Sequence, residues 1–129
     1  MKLLIVEDEI ELLDATSGYL ENEDFVCETA PNFFEAEDKL ISYNYDVVIL
    51  DINLPDGNGL DLLKFIKEKS VKVKPIMLTM HNDELFFNEA FDEGAHGFLL
   101  KEDSSIEIVG CLTNILAGIP FVSKKLHPF

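Results

Sequence analysis

Short apolar runs alternate with stretches of helical period from one end of the chain to the other. That alternation limits the folds open to it more than any other feature. Residues 2–6 form an apolar run that meets acids at Glu7-Asp8, the pattern of a strand buried on both faces. Residues 9–22 follow helical spacing, with Ile10, Leu13, Ser17 and Leu20 on one face and Glu9, Glu11 and Asp14 elsewhere. Residues 25–30 read as a second strand, and Asn32 as the N-cap of a helix reaching about Tyr43. Val47-Val48-Ile49-Leu50 is strongly strand-like, and Asn53-Leu54-Pro55-Asp56-Gly57-Asn58-Gly59 is a loop by its density of turn residues. A helix is predicted over residues 60–69, a strand over 75–79, and a helix from Asp83 to a stop at Gly94. A last strand over 96–100 precedes a helix opened by Asp103 or Ser104, with Ile108, Val109, Leu112, Ile115, Leu116 and Ile119 as its stripe. Five strands and five helices in strict alternation predict an α/β fold, a doubly wound parallel sheet with helices on both faces. Right-handed crossovers leave few topologies. The expected one is five-stranded, order 2-1-3-4-5, with its ligand site at the carboxyl ends of the strands.

Size and charge exclude much else. A chain of 129 residues is one domain. Its 10 basic residues, scattered and all Lys, face 25 acidic ones for a net charge of −15. Neither nucleic acid nor an anionic membrane surface is an expected partner. No apolar run approaches the roughly 20 residues of a membrane span, and Glu7-Asp8 interrupts the start before a signal peptide could develop. The expected location is the cytoplasm. Cys27 and Cys111 sit in apolar stretches that read as core. Without Cys-x-x-Cys, and with His81, His96 and His127 far apart, structural zinc is not expected.

In such a sheet the strand ends share one edge. Glu7-Asp8 closes the first strand, Asp51 the third, Thr79 the fourth and Lys101 the fifth. Each alone has an ordinary reading as a solvated strand end, a cap, a β-branched residue or a surface charge. Together, three carboxylates, a hydroxyl and an ammonium make a cluster of net charge −2. Two carboxylates about 4 Å apart repel by roughly 4 kcal/mol at an effective dielectric near 20. A divalent cation offsets that, and an all-oxygen ligand set suits Mg²⁺, or Mn²⁺, rather than zinc. With such an ion, the Lys and Thr would trap a phosphoryl group, and one carboxylate could act as its nucleophile.

Val6-Glu7-Asp8-Glu9, the run from Val47 through Asp51 to Gly59, Ile76-Met77-Leu78-Thr79 and Gly97-Phe98-Leu99-Leu100-Lys101 resemble the receiver domain of two-component response regulators. The resemblance covers about residues 1–120 and implies a flavodoxin-like receiver fold, with residues 121–129 a C-terminal tail or the start of a linker to an output domain. It implies that Asp51 accepts phosphate from a phosphohistidine on a sensor histidine kinase or phosphotransfer protein. Asp8, Asp51 and the backbone carbonyl of Asn53 would ligate Mg²⁺, with Glu7 acting through water. Lys101 would bind the phosphoryl oxygen, and Thr79 and Phe98 would form the switch pair. Asn53 and His81 would tune hydrolysis. Homodimerisation on phosphorylation and transcriptional regulation by the full-length protein are further implications.

The chain departs from the family pattern in three places. Glu7-Asp8 replaces the commoner Asp-Asp. Glu102 follows Lys101 where a cis proline is usual, so a trans bond is expected. Met80 follows Thr79 where a small residue is usual, which is expected to narrow the approach to Asp51. The stretch from Asp92 to Glu102, with Ala117-Gly118-Ile119-Pro120-Phe121-Val122-Ser123, resembles the subfamily with a LuxR-type helix-turn-helix output. Roughly ten residues follow the last helix, too few for a DNA-binding module. The expectation is either a receiver fragment of a longer protein or a receiver that works by protein contacts alone. Two competing readings are a metal-dependent aspartyl-phosphate phosphohydrolase and a degenerate receiver that only binds partners. The first lacks a general acid two residues after the nucleophile, where Asn53 stands. The second should have lost an acid or the Lys. A calcium loop fails at Pro55, and no phosphate-loop motif occurs.

Overall fold

The computed structural model describes residues 1–79, 84–101 and 104–123. The strands are β1 (Lys2–Val6), β2 (Val26–Ala30), β3 (Val47–Asp51), β4 (Asn53–Leu54), β5 (Gly57–Asn58), β6 (Lys74–Thr79), β7 (Gly97–Leu100) and β8 (Phe121–Val122). The helices are α1 (Ile10–Asn22), α2 (Phe33–Ser42), α3 (Gly59–Glu68), α4 (Glu84–Asp92) and α5 (Ser104–Leu116). The main sheet is parallel, in the order β2-β1-β3-β6-β7-β8.

Side-chain alternation along the central strands builds the two layers. Leu4, Val6, Val48, Leu50, Met77, Phe98 and Leu100 pack with Ala36, Leu40, Leu62, Leu63, Ile66 and Ala90 from α2, α3 and α4. Leu3, Ile5, Val47, Ile49, Ile76, Leu78 and Leu99 pack with Leu13, Leu20, Ile108, Leu112 and Ile115 from α1 and α5. Both faces are therefore apolar, and the strand ends are the natural place for charge. Asn32 caps α2 as expected, its Oδ1 accepting from the Glu35 N–H at 2.8 Å.

The structure differs from expectation in four places. The sheet has six strands, not five. α5 ends at Leu116, Gly118 takes a left-handed backbone (φ +80°), and the chain turns back so that the Phe121 N–H donates to the His96 carbonyl and the Ser123 N–H to that of Phe98. Phe121–Val122 thus lies in the sheet, beyond the expected boundary at residue 120. The turn-rich loop after β3 contains the two-stranded hairpin β4–β5. Ile10, expected on the buried stripe of α1, is 66% exposed, because it opens the helix and burial begins a turn later at Leu13. Leu116 and Ile119, expected on the stripe of the last helix, are also exposed, at its end and beyond. The expected caps Asp83 and Asp103 lie outside the described residues, as do Met80, His81 and Glu102.

Candidate functional site

Three of the central strands deliver the acids and the lysine to one edge of the sheet. Glu7 follows β1 and Asp51 ends the adjacent β3, since Val6 pairs with Leu50 in the register. Thr79 ends β6 one residue beyond the partner of Asp51, and pairs with Leu100, which places Lys101 next in line. Glu7, Asp51 and Thr79 are buried, while Asp8 is exposed. Carboxylate oxygens of Glu7, Asp8 and Asp51 lie within 4.8 Å of one another.

Lys101 Nζ donates to Asp51 Oδ2 at 2.8 Å and lies 3.1 Å from Glu7 Oε1. The second contact is an ion pair without hydrogen-bond alignment, so Glu7 Oε1 is a buried acceptor with no hydrogen bond. Its other oxygen accepts from the Glu9 N–H at 3.2 Å. Burial pushes the Glu7 carboxyl up to about 7, and the neighbouring Asp51 adds to the shift against the opposing Glu9 N–H. Burial alone would depress the Lys101 ammonium, but its contacts with Asp51 and Glu7 outweigh that and hold it above its ordinary value. An excess of buried negative charge, an unsatisfied carboxylate oxygen and an all-oxygen donor set fit a hard divalent cation.

The backbone around Asp51 is held closely. The Ile52 N–H donates to the Leu78 carbonyl and the Ile52 carbonyl accepts from the Gly59 N–H at 2.8 Å. A Cβ on Gly59 would lie 2.8 Å from the Asp51 carbonyl oxygen, so only glycine lets α3 start this close to the acceptor strand. Asn58 caps α3 by accepting from the Leu60 N–H. Asn53 pairs with Asn58 across the hairpin, which sets its backbone immediately after the acid edge. Phe98 is buried on the α4 face, its ring 5.1 Å from that of Phe91.

The structure thus brings together Glu7, Asp8, Asp51, Thr79 and Lys101, with the Asn53 backbone beside them. Phe98 is in the core, and His81 lies outside the described residues. Sequence reasoning missed Asp56 and Gly59. Both sit in the turn-rich loop, where residue type signals a turn and not a contact.

A doubly wound parallel sheet with a carboxylate cluster and a lysine at its carboxyl edge is a flavodoxin-like fold equipped for phosphoryl chemistry. The response regulator receiver domain family model matches residues 3–112, and the chain belongs to that family. The transcriptional regulatory protein LnrK of Bacillus subtilis is 33% identical over 120 residues, covering 92% of this chain and 54% of that protein. The response regulator SaeR of Staphylococcus aureus is 33% identical over 125 residues, covering 97% of this chain and 53% of its own. The chain spans about half the length of these curated relatives. The crystal structure of a LuxR-family DNA-binding response regulator from Staphylococcus aureus is 30% identical, with a TM-score of 0.82, and covers 88% of this chain and 97% of that one.

Proposed function

We propose that Asp51 is the phosphoacceptor of this receiver domain and takes its phosphoryl group from a phosphohistidine on a sensor histidine kinase or phosphotransfer protein. The observation that carries the reading is the 2.8 Å bond from Lys101 to Asp51 inside the three-carboxylate cluster. In the transfer, an Asp51 oxygen bonds to phosphorus as the P–N bond breaks, and the protonated imidazole leaves as the neutral base. Lys101 already holds Asp51 and moves its donors to the transferred oxygens. Asp8, Asp51 and the Asn53 carbonyl would hold Mg²⁺, or Mn²⁺, with Glu7 contributing through water. The bound ion would offset the charge of the carboxylates and the phosphoryl group.

Phosphorylation adds about −1.5 to −2 charge and three acceptor oxygens, by analogy with other phosphoresidues. Thr79, at the adjacent strand end, supplies a hydroxyl to one of them. Phe98 responds through its packing on Phe91, which carries the change to α4. In this reading the chain catalyses only its own phosphorylation and dephosphorylation, and Asn53 and His81 tune the second. The domain acts in the cytoplasm, regulates transcription as part of a longer protein, and pairs with a second copy when phosphorylated. Among the described residues no helix is long and apolar enough to cross a membrane.

Incubation with acetyl phosphate or phosphoramidate and Mg²⁺ should place one acid-stable, alkali-labile label on the wild type and none on Asp51→Asn. Equal labelling of both proteins would overturn the assignment. Para-nitrophenyl phosphate should not be turned over repeatedly.

A further inference from the structure

Asp56 stands at the tip of the β4–β5 hairpin, and its carboxylate reaches across to another element. Its Oδ1 accepts from the Phe33 N–H at 2.7 Å and its Oδ2 from the Phe34 N–H at 3.0 Å. These are the first two residues of α2, whose third N–H, that of Glu35, is taken by the N-cap Asn32. The first N–H groups of a helix have no partner within it, and an anion there also faces the positive end of the helix dipole. The helix therefore draws one cap from its own chain entry and a second from the loop that leaves Asp51. A second contact fastens the same pair. Gly57 lies so close to Phe33 that a Cβ there would sit 2.7 Å from the ring.

The hairpin that Asp56 tethers carries the Asn53 backbone. On its near side it is fixed by the Ile52–Gly59 and Ile52–Leu78 bonds, and on its far side by the turn at Pro55-Asp56. We infer that Asp56 is a positioning residue, its two-oxygen clip on α2 holding the hairpin, and with it the Asn53 backbone, in place after the carboxylate cluster. The inference rests on the metal reading given above and adds a residue that touches neither metal nor phosphate.

Calorimetric titration with MgCl₂ separates positioning from mere support of the fold. Asp56→Ala should bind Mg²⁺ about tenfold more weakly, in the range typical of groups that orient ligands. Asp56→Asn, which keeps one amide oxygen as acceptor, should fall between it and the wild type. Asn32→Ala weakens the same helix start from the other side without touching the hairpin, and should keep the wild-type affinity. In hydrogen exchange the Phe33 and Phe34 amides should open faster in Asp56→Ala, which reports that the clip itself is broken. Unchanged affinity in Asp56→Ala, or an equal loss in Asn32→Ala, overturns the inference. A wild type that fails to bind Mg²⁺, or that binds it no better than Asp8→Ala, overturns the metal reading and the clip with it.

Discussion

Gly59 shows how little room the fold leaves at its working edge, and His96, at the opposite end of the sheet, ties its stability to pH. The carbon that Gly59→Ala would add meets the Asp51 carbonyl oxygen at 2.8 Å and the Ile52 Cα at 3.1 Å, and both are backbone atoms that cannot swing aside. The start of α3 or the end of β3 must move, and overpacking of this kind costs roughly 1–3 kcal/mol. Gly59→Ala should therefore melt lower and accept phosphate from acetyl phosphate more slowly, whereas Gly18→Ala, where a Cβ meets nothing within 4 Å, should do neither. At the amino-terminal end of β7, His96 has a buried Nδ1 without a hydrogen bond. It lines a cavity of about 400 Å³ with Tyr45, Asp46, Lys72 and Lys74. Burial first, and then the Lys74 ammonium, hold its pKa below the ordinary 6.5. A depressed histidine value means that the unfolded chain binds the proton more readily. The stability contributed by neutral His96 is thus present above about 6.5 and is lost as the pH falls through the folded-state value. His96→Gln should gain in melting temperature relative to wild type between pH 7 and pH 5. A difference that stays flat across that range would show that His96 is protonated as easily in the fold as out of it.

At the scale of elements, the last strand is the shortest of the main sheet. β8 has two residues, and its attachment is completed by buried Ser123, whose hydroxyl donates to the Glu107 carboxylate on α5. Hydrogen bonds to charged groups contribute about 1.5–3 kcal/mol. Ser123→Ala should therefore speed hydrogen exchange at the Phe121 and Ser123 amides while leaving those of β1 unchanged. Equal protection in the two proteins would mean that the backbone pairs alone hold the strand. This strand also marks where reading the sequence stops. The strands over 3–6 and 47–50 were legible because each is an unbroken apolar run that meets an acid at its end, the pattern of a strand apolar on both faces. The carboxylate cluster was legible for a related reason, since parallel strands must present their ends along one edge. Two residues of β8 carry no period, and neither do the two-residue strands of the hairpin. Asp56 is hidden differently: its partners lie 22 and 23 positions away, and nothing in a turn-forming Asp distinguishes a cap on a distant helix from a solvated side chain. Ile10 misled because periodicity gives the direction of a side chain but not whether anything covers it there.

For the whole molecule, charge and metal binding act on stability together. A net charge of −15 on 129 residues makes the folded chain repel itself, so added salt should stabilise it by screening. The acid edge concentrates that repulsion, with the carboxylates of Glu7, Asp8 and Asp51 drawn together and Lys101 paired with Glu7 and Asp51. A cation bound there stabilises the folded state by mass action in addition to screening. At a free concentration about 100 times the dissociation constant this amounts to about 2.7 kcal/mol, or roughly 10 °C in melting temperature for a domain of this size. Screening depends only on ionic strength, so about 5 mM MgCl₂ is compared with about 15 mM NaCl, which matches it. The wild type should melt well above its NaCl control in Mg²⁺, and the increment should saturate as the site fills. Asp8→Ala removes an exposed acid and leaves the Lys101–Asp51 bond in place, so it should respond to NaCl like the wild type but lose the Mg²⁺ increment. An increment of equal size in Asp8→Ala, or one that NaCl reproduces at matched ionic strength, would assign the stabilisation to the overall charge and not to the cluster at the strand ends.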